Sequence, residues 1–334
     1  MANKKENKIR LMYMKQLLEK YSDDEHYIST QDIMALMESE YGMPIHRTTV
    51  GKDIKEIDAI GVDVVLNNAM EGKRAKQNYY AIGKRHFDIN ELKLLIDAII
   101  SSRFITEKKS NELIEKLKKF ASIYQREKLT PNIQAGSVSK SQNEHIFYIM
   151  DRINQAITEG LQIEFLYTRY NFDKQLEVTN SEHTHIISPY ALVWNNDYYY
   201  LVGYSHKYDN ITNFRVDRIK TTPTILQQPS HPIPKDFSIE RLTKSTFNMY
   251  SGEFETVKLK CRNNMMSVIV DHFGMDAHVE KCDDDYFVLT AEVGLSPTFF
   301  GWLFGFDPYY IKLVEPQSAV DEYKKKLEKA INNL

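Results

Sequence analysis

The sequence of 334 residues is poor in the residues that build disulfide-rich or collagen-like proteins, with 2 Cys, 13 Gly and 10 Pro. Two cysteines, Cys261 and Cys282, cannot form a disulfide framework, which favours a reducing compartment. Hydrophobic residues make up 42% of the chain and charged residues 27%. This is the composition of a folded globular protein, so a disordered class is excluded as well.

Long hydrophobic runs are also missing. A membrane helix needs about 18 apolar residues, and the longest apolar run, residues 94–100, is interrupted by Asp97. The N-terminal segment is basic but lacks the apolar stretch of a signal peptide. We therefore expect a cytoplasmic protein with no membrane partner, and at about 150 residues per domain the length allows two or three domains.

Neither sign of charge dominates, since 43 Lys and Arg stand against 46 Asp and Glu. The distribution is uneven: residues 1–20 carry an excess of four positive charges, residues 44–85 an excess of three, and residues 236–334 an excess of five negative charges. This pattern favours binding of a polyanion by the N-terminal part. Ordinary surface variation explains the charge pattern equally well.

The pattern of apolar residues predicts an α+β protein of several domains. Residues 1–85 read as three helices followed by a β-hairpin around a basic turn, which is the order of a winged helix-turn-helix domain. Ser29 and Thr30 are N-cap candidates for the second helix, and Gly42 ends it. The third helix is expected over about residues 47–60.

Residues 86–140 read as a helical connector. Two amphipathic helices are expected there, with apolar stripes at Leu92, Leu95 and Ile99 and at Leu113, Leu117 and Phe120. Residues 141–225 are expected to form a domain in which a helix precedes a β-rich stretch. Residues 221–240, rich in proline, read as a linker.

Residues 241–334 are predicted to follow the order strand, helix, strand, strand, helix, strand, with a terminal helix. This βαββαβ order resembles a ferredoxin-like fold. Pro297 and Pro316 suit the first turns of two of its helices.

The third helix and the hairpin turn carry the residue types that bind DNA. Arg47 is the best candidate for a guanine contact, because its planar fork matches the O6 and N7 acceptors. Threonine and lysine side chains beside it suit phosphate and sugar, and basic side chains at the hairpin tip suit the backbone or the minor groove. The alternative is that these charges only solvate the surface. The predicted DNA-binding residues are Arg47, Thr48, Thr49, Lys52, Lys55, Lys73, Arg74 and Lys76.

Aromatic residues are concentrated between Leu161 and Ile219, which hold 12 of the 39 aromatic residues of the chain. Tyrosine buries a ring and keeps a polar hydroxyl, which suits a site where bases stack or polar ligands bind. Core packing in a small β-barrel is the alternative for about half of these rings. In an extended strand, Arg215 and Arg218 would lie on opposite faces.

Three motifs in this region resemble the signature of the WYL domain: residues 189–192 (PYAL), 199–204 (YYLVGY) and 214–219 (FRVDRI). Tyr199 stands where that family has the Trp of its name-giving Trp-Tyr-Leu triplet. The order of the whole chain resembles bacterial WYL-domain transcriptional regulators, and residues 313–316 (LVEP) are similar to the closing motif of their C-terminal extension.

The resemblance extends to the third helix. Thr49-Val50 and Lys52-Asp53-Ile54 are similar to the family's pattern there. Two positions depart from it: His46 stands where a Ser cap is expected, and Gly51 lies inside the helix at a cost of about 1 kcal/mol relative to Ala.

The resemblance implies a winged helix-turn-helix, a helical connector, an Sm-like (SH3-like) WYL barrel and an extension domain. It also implies a homodimer that binds a double-stranded DNA operator and senses a nucleic-acid fragment or a nucleotide. An effector would shift the two winged domains only if it binds their two arrangements with different affinity. The implied effector-binding residues are Tyr190, Tyr200, His206, Arg215 and Arg218.

Enzymatic motifs are absent from the sequence. Gly51-Lys52 lacks the glycine spacing of a phosphate-binding loop, and no GxGxxG motif follows a strand. We expect no catalysis, no metal and no cofactor. A non-catalytic interaction protein, whose winged domain contacts other proteins, is the competing hypothesis. The sequence leaves open the operator, the sign of regulation and the identity of the effector.

Overall fold

The computed structural model divides the chain into two compact units, Met1–Ser141 and Gln142–Leu334. The structure describes residues 2–70, 73–130, 139–179, 184–235, 237–247, 249–250 and 252–333, without the side chains of residues 2–6 and 68–77. Among the described residues, no helix combines the length and apolar character that a membrane crossing requires.

The first unit begins with three helices and a β-hairpin, in the predicted order. These elements are α1 (Ala2–Tyr21), β1 (Ile28–Ser29), α2 (Thr30–Tyr41), α3 (Arg47–Ala59), β2 (Val64–Met70) and β3 (Lys73–Ile82). The strands form an antiparallel sheet of order β1-β3-β2. Leu17, Ile33 and Ile57, one from each helix, are fully buried and pack in one core with Tyr80 and Ile82 of the hairpin.

Local signals set the ends of α2 and α3. The Ser29 hydroxyl accepts a hydrogen bond from the N–H of Asp32 at 3.1 Å, as its N-cap position predicts. Gly42 ends α2 with φ at 63°, a conformation that glycine adopts without strain. His46 precedes α3, and its side chain makes no capping hydrogen bond. The departure from a Ser cap therefore leaves the first N–H groups of α3 without a side-chain cap.

The rest of the first unit is helical: α4 (Ile89–Ser101), α5 (Glu107–Lys118) and α6 (Ile123–Lys128). The predicted stripes are partly wrong, because Leu95 and Phe120 are exposed while Ile96 and Ile114 are buried. The buried side of α4 follows Leu92 and Ile96, four residues apart, and Phe120 lies beyond the end of α5. The third helix of this region, α6, was not predicted.

The second unit begins with a helix on an antiparallel sheet. Its elements are α7 (Ile146–Glu159), β4 (Leu161–Phe165), β5 (Thr168–Tyr170), β6 (Leu176–Val178), β7 (His185–Asn195), β8 (Tyr198–Ser205), β9 (Asn210–Arg215) and β10 (Thr224–Pro229). Five strands form one sheet of order β10-β4-β7-β8-β9, and β5 pairs with β6. Ile149 and Ile153 of α7 are fully buried against this sheet.

Two expectations for this region are wrong. The segment predicted as a linker, residues 221–240, contains β10, where Ile225 pairs with Ile163 of β4. The segment predicted as extended, residues 214–219, is a strand only to Arg215, because Val216–Arg218 forms a 3-10 turn. Strand alternation therefore does not separate the two arginines.

The last part of the second unit begins with a helix that was not predicted, Ile239–Ser245, and from the next strand onward has the predicted order of strands and helices. Its elements are α8 (Ile239–Ser245), β11 (Glu253–Arg262), α9 (Met266–Phe273), β12 (His278–Lys281), β13 (Tyr286–Leu295), α10 (Pro297–Phe304), β14 (Ile311–Glu315) and α11 (Gln317–Asn332). The four strands form an antiparallel sheet of order β12-β13-β11-β14. One face packs against α9 and α10, with Leu259, Ile269 and Phe299 fully buried. The chain is thus an α+β protein.

Candidate functional site

The solvent side of α3 carries most of the side chains predicted to contact DNA. Its other side is apolar and packs into the core of the first unit through Val50 and Ile54. Thr49 is half-buried. The exposed members of the predicted set on this helix are Arg47, Thr48, Lys52 and Lys55.

A groove of about 630 Å³ lies between α3 and the hairpin. Its lining consists of Thr48, Gly51, Lys52, Ile54, Lys55, Asp58, Val64, Leu66, Asn78 and Tyr80. The structure therefore brings three of the predicted residues of α3 together with polar side chains of β3. The β3 side of this groove was not predicted from the sequence. The residues of β3 that follow the basic turn are of types found in ordinary strands, so they gave no signal of a binding site.

Three further predicted residues, Lys73, Arg74 and Lys76, lie in the first half of β3. Their side chains fall outside the described part of the structure. Their contacts with DNA stay a prediction.

A buried ion pair holds α3 against α1. Arg10 donates from Nε to Asp53 Oδ2 at 2.6 Å and from a terminal nitrogen to Oδ1 at 2.9 Å. The Asp53 side chain is 1% exposed and that of Arg10 20%. A bidentate pair fixes both the distance and the orientation of its partners, so this pair ties α3 to α1.

In the second unit, the predicted effector residues separate into two groups. The first is centred on Arg215, whose Nε lies 3.1 Å from Asp217 Oδ1 and whose terminal nitrogen lies 2.7 Å from Oδ2. Its guanidinium also lies 3.3 Å from the ring centre of Tyr198. Burial lowers the pKa of Arg215, but the hydrogen bonds and charge of Asp217 outweigh this effect, and its pKa is raised. Arg215 is thus a fixed cation on an aromatic ring.

Tyr200 lies directly opposite Arg215 in the pairing of β8 with β9. Burial raises the pKa of its hydroxyl, and the positive charges of Arg215 and Arg218 act in the opposite direction. Tyr200 is 9% exposed because Leu242 and Met249 pack over it and over Val202. Tyr200 is thus packed in a hydrophobic cluster with residues of the segment after β10. Its hydroxyl is the part of the side chain that is left for polar contacts.

Arg218 comes from the 3-10 turn. Its carbonyl oxygen accepts a hydrogen bond from Thr168 Oγ1 at 2.8 Å, which holds the turn against β5. Its Nε is buried and has no hydrogen-bond partner among the described residues. A buried donor without a partner is costly. Arg218 is therefore the member of this group whose guanidinium keeps an Nε donor without a described partner.

The second group lies along β7 and the segment after β10. Tyr190 is 6% exposed, and its hydroxyl lies 3.1 Å from the carbonyl oxygen of Pro232 and 3.2 Å from Nδ1 of His231. His206 Nε2 lies 3.1 Å from the Ser188 hydroxyl, which also accepts a hydrogen bond from the backbone N–H of His231 at 2.8 Å. Tyr190 and His206 are thus linked by hydrogen bonds that run through His231 and Ser188.

Tyr204 completes this second group. Its ring stacks on that of His231 with centroids 3.9 Å apart, and meets His206 edge to face at 5.2 Å. Its hydroxyl donates to Asp209. A base-sized aromatic ligand would meet a ready surface of rings here.

Five members of these groups were not predicted as effector residues: Tyr198, Tyr204, Asp217, Ser188 and His231. Tyr204 belongs to the tyrosine-rich region and to the YYLVGY motif, but neither singles it out. Tyr198 was within reach, because it shares a strand face with Tyr200. The 3-10 turn brings Asp217 to Arg215, and the pairing of β7 with β8 brings Ser188 to His206. The sequence alone specifies neither contact. His231 lies in the proline-rich segment that was predicted to be a linker.

Residues 148–223 match the WYL domain family. Comparison with curated proteins finds no match. Among solved structures, the chain is similar to proteasome accessory factor B/C (PafBC) of Arthrobacter aurescens, with 17% identity over 97% of this chain and a TM-score of 0.29. It spans 48% of the length of that protein. It is also similar to a CRISPR Cas-related protein, with 11% identity, 95% coverage of this chain, 98% of the other and a TM-score of 0.36.

Proposed function

This chain is a WYL-domain protein, and we propose that it is a non-catalytic, DNA-binding transcriptional regulator. Its WYL domain senses a nucleic-acid fragment or a nucleotide and changes how a homodimer binds its operator. The observation that carries this proposal is the Arg218 Nε, which is buried without a hydrogen-bond partner among the described residues, inside the segment that matches the WYL family.

The proposal assigns a role to each part of the chain. Residues 1–85 form the winged helix-turn-helix, residues 86–140 the helical connector and residues 141–225 the Sm-like WYL barrel. Residues 241–334 form the ferredoxin-like extension, because their sheet order runs fourth, first, third, second strand. In a homodimer each chain supplies one α3, and two half-sites are expected about 34 Å apart, one helical turn of DNA.

On the DNA side, α3 enters the major groove with its N-terminal end. Arg47 stands at the first position of the helix and reads a guanine. Thr48, Lys52 and Lys55 border the groove between α3 and the hairpin, where a phosphate strand is held. The uncapped N–H groups at the start of α3 also favour a phosphate oxygen. Thr49 and the hairpin residues Lys73, Arg74 and Lys76 supply further backbone contacts.

On the effector side, the two arginines have different tasks. Arg215 is paired with Asp217, which orients its guanidinium on the ring of Tyr198. Arg218 offers an unused donor to a phosphate group. The rings of Tyr204 and His231, with His206 beside them, offer a second surface on which a base stacks. A ligand with both a phosphate and a base fits these two groups.

Fluorescence anisotropy of the full-length protein tests the DNA side. The probe is the duplex upstream of its own gene, measured at two salt concentrations beside a random-sequence duplex pool. Arg47→Ala should weaken binding of the specific duplex about 10- to 100-fold. Lys116→Ala, which removes a positive charge from the exposed side of α5, is the matched control and should leave binding unchanged.

A 5′-phosphorylated single-stranded hexanucleotide tests the effector side. Arg218→Ala should weaken its binding about tenfold, the worth of one charge-assisted hydrogen bond. Arg169→Ala removes an exposed arginine of β5, paired with Glu177, and is the matched control. Equal loss in both variants contradicts the site. Failure of both duplexes to bind at low salt favours the interaction protein instead.

A further inference from the structure

The chain passes from the first unit to the second through residues 139–145, here called the strap. Described hydrogen bonds fasten the strap at two points on either side of the boundary between the units. Each anchor belongs to its own unit.

The first anchor lies at the end of α4. Lys140 donates from Nζ to the carbonyl oxygens of Ile99 and Ser102 at 3.1 and 2.9 Å. The N–H of Ser141 donates to the carbonyl oxygen of Arg103 at 2.9 Å. The end of a helix leaves carbonyl groups without partners, and a lysine ammonium satisfies them. Three hydrogen bonds among the described residues thus tie the strap to the connector.

The second anchor lies on the 3-10 turn that carries Arg218. Asn143 donates from Nδ2 to the carbonyl oxygens of Asp217 and Ile219 at 3.3 and 2.8 Å. Its Oδ1 accepts the N–H of His145 at 3.0 Å, which fixes the orientation of the amide. Asn143 therefore holds the residues on both sides of Arg218.

Only a short stretch of chain separates the two anchors. Ser141 and Asn143 are two residues apart, and two residues span at most about 7 Å. A cavity of about 380 Å³ lies beside the turn and is lined by strap residues 142–145 together with Asp217 and Ile219. A displacement of the turn that exceeds what these two residues absorb is passed on to the first anchor.

We propose that Asn143 couples the WYL effector site to the connector. An anion that engages Arg218 displaces the 3-10 turn, and Asn143 passes this displacement along the strap to the Lys140 and Ser141 anchor. The identity of the effector rests on the proposed function. The mechanical link between the anchors is a property of the chain itself, and it can be measured without any ligand.

Hydrogen exchange on the full-length protein without ligand tests this link. Asn143→Ala removes both hydrogen bonds to the turn and leaves the Ser141 N–H with its own acceptor, the carbonyl oxygen of Arg103. We expect exchange of the Ser141 amide to become about tenfold faster, as the anchor opens more often. Exchange within about twofold of wild type overturns the proposal, because the anchors are then independent.

Asn263→Ala is the matched control in the same unit. It removes a similar bond, from Asn263 Nδ2 to the carbonyl oxygen of Asp284 at 2.7 Å, at the turn between β12 and β13. Ser141 exchange should stay at the wild-type rate in this variant. An equal acceleration in both variants also overturns the proposal, since a general loss of stability then explains the effect.

A second arm connects the link to regulation. Insertion of Gly-Gly between Ser141 and Gln142 keeps both anchors but lengthens the tie. The inserted variant should bind the operator duplex and the hexanucleotide as wild type does, while the effect of the hexanucleotide on duplex affinity disappears. An undiminished effect in this variant overturns the proposal. A wild-type protein that ignores the hexanucleotide contradicts the proposed function, and the exchange arm still decides on the strap.

Discussion

At the scale of single residues, buried polar side chains determine how the functional surfaces are held. Arg10 and Asp53 meet in the first unit, and Arg215 and Asp217 in the second, each through two hydrogen bonds. The first pair is the more buried, since the Asp53 side chain is 1% exposed and that of Asp217 is 10%. We therefore expect the first pair to matter for stability and the second to matter for ligand binding.

Asp53→Ala should destabilise the first unit strongly. The change leaves the partly buried guanidinium of Arg10 without its counter-charge, and breaking a buried pair costs about 3–5 kcal/mol. Urea denaturation followed by circular dichroism measures the free energy of unfolding. Glu19→Ala, which breaks an exposed pair with Lys15 on α1, should cost at most about 0.5 kcal/mol. Similar losses in both variants would contradict this assignment.

His272 makes the stability of the second unit depend on pH. Burial lowers the pKa of this imidazole, which stacks on Phe247 and also packs against Trp302. Its Nε2 has no hydrogen-bond partner among the described residues. The folded state therefore keeps His272 neutral, and its contribution is complete above the unfolded pKa of about 6.5 and is lost as pH falls through the lowered pKa.

His272→Phe should remove this pH dependence. Free energies of unfolding measured from pH 7.5 down to pH 5 should fall less steeply than in wild type, by up to about 1.4 kcal/mol per pH unit. His278→Phe changes an exposed histidine of β12 and should keep the wild-type slope. A wild-type slope in the His272 variant would show that the ring titrates freely in the folded state.

At the scale of elements, α3 contains a destabilising glycine that packing does not require. Gly51 lies inside the helix, and a Cβ added there meets no atom within 4 Å. Gly51→Ala should raise the free energy of unfolding by about 0.5–1 kcal/mol, because alanine loses less backbone freedom on folding. Gly42→Ala is the control with the opposite sign, since its φ of 63° strains any residue with a Cβ. Thermal unfolding of both variants separates the two effects.

Elements with strong periodic signals were predicted from the sequence with nearly the observed ends. The third helix is an example, since it is expected over about residues 47–60 and spans Arg47–Ala59. β10 was missed because Pro223 precedes it and Pro229 is its last residue, and only pairing with β4 makes it a strand. The 3-10 turn at 216–218 was missed because its residues alternate like a strand. Tertiary contacts determine the conformation of both segments.

At the scale of the whole molecule, the sequence predicted the exposed side of α3 better than the grouping of the candidate effector residues. The exposed side of α3 follows from helical periodicity alone, which places Val50 and Ile54 inward. The candidate effector residues are instead brought together by strand register and by the segment after β10, which brings His231 to Tyr190 and covers Tyr200. Long-range pairing of this kind leaves no periodic trace in one sequence.

Salt dependence of duplex binding tests the DNA-facing surface as a whole. Each lysine that neutralises a phosphate releases counterions and contributes about 0.9 to the slope of log affinity against log salt. Lys52→Ala and Lys55→Ala remove lysines of the groove beside α3, so each should lower the magnitude of the slope by about 1. The affinity should fall by a similar factor for specific and random duplexes.

The matched comparison is again Lys116→Ala, a change of equal charge on the exposed side of α5. If α3 and the hairpin form the interface, this variant keeps the wild-type slope. Equal slope changes in all three lysine variants would mean that net charge, and not this surface, attracts DNA. Wild-type slopes in both groove variants would place the phosphates elsewhere on the molecule. A wild-type slope near zero would favour an interaction protein, because protein contacts release few counterions.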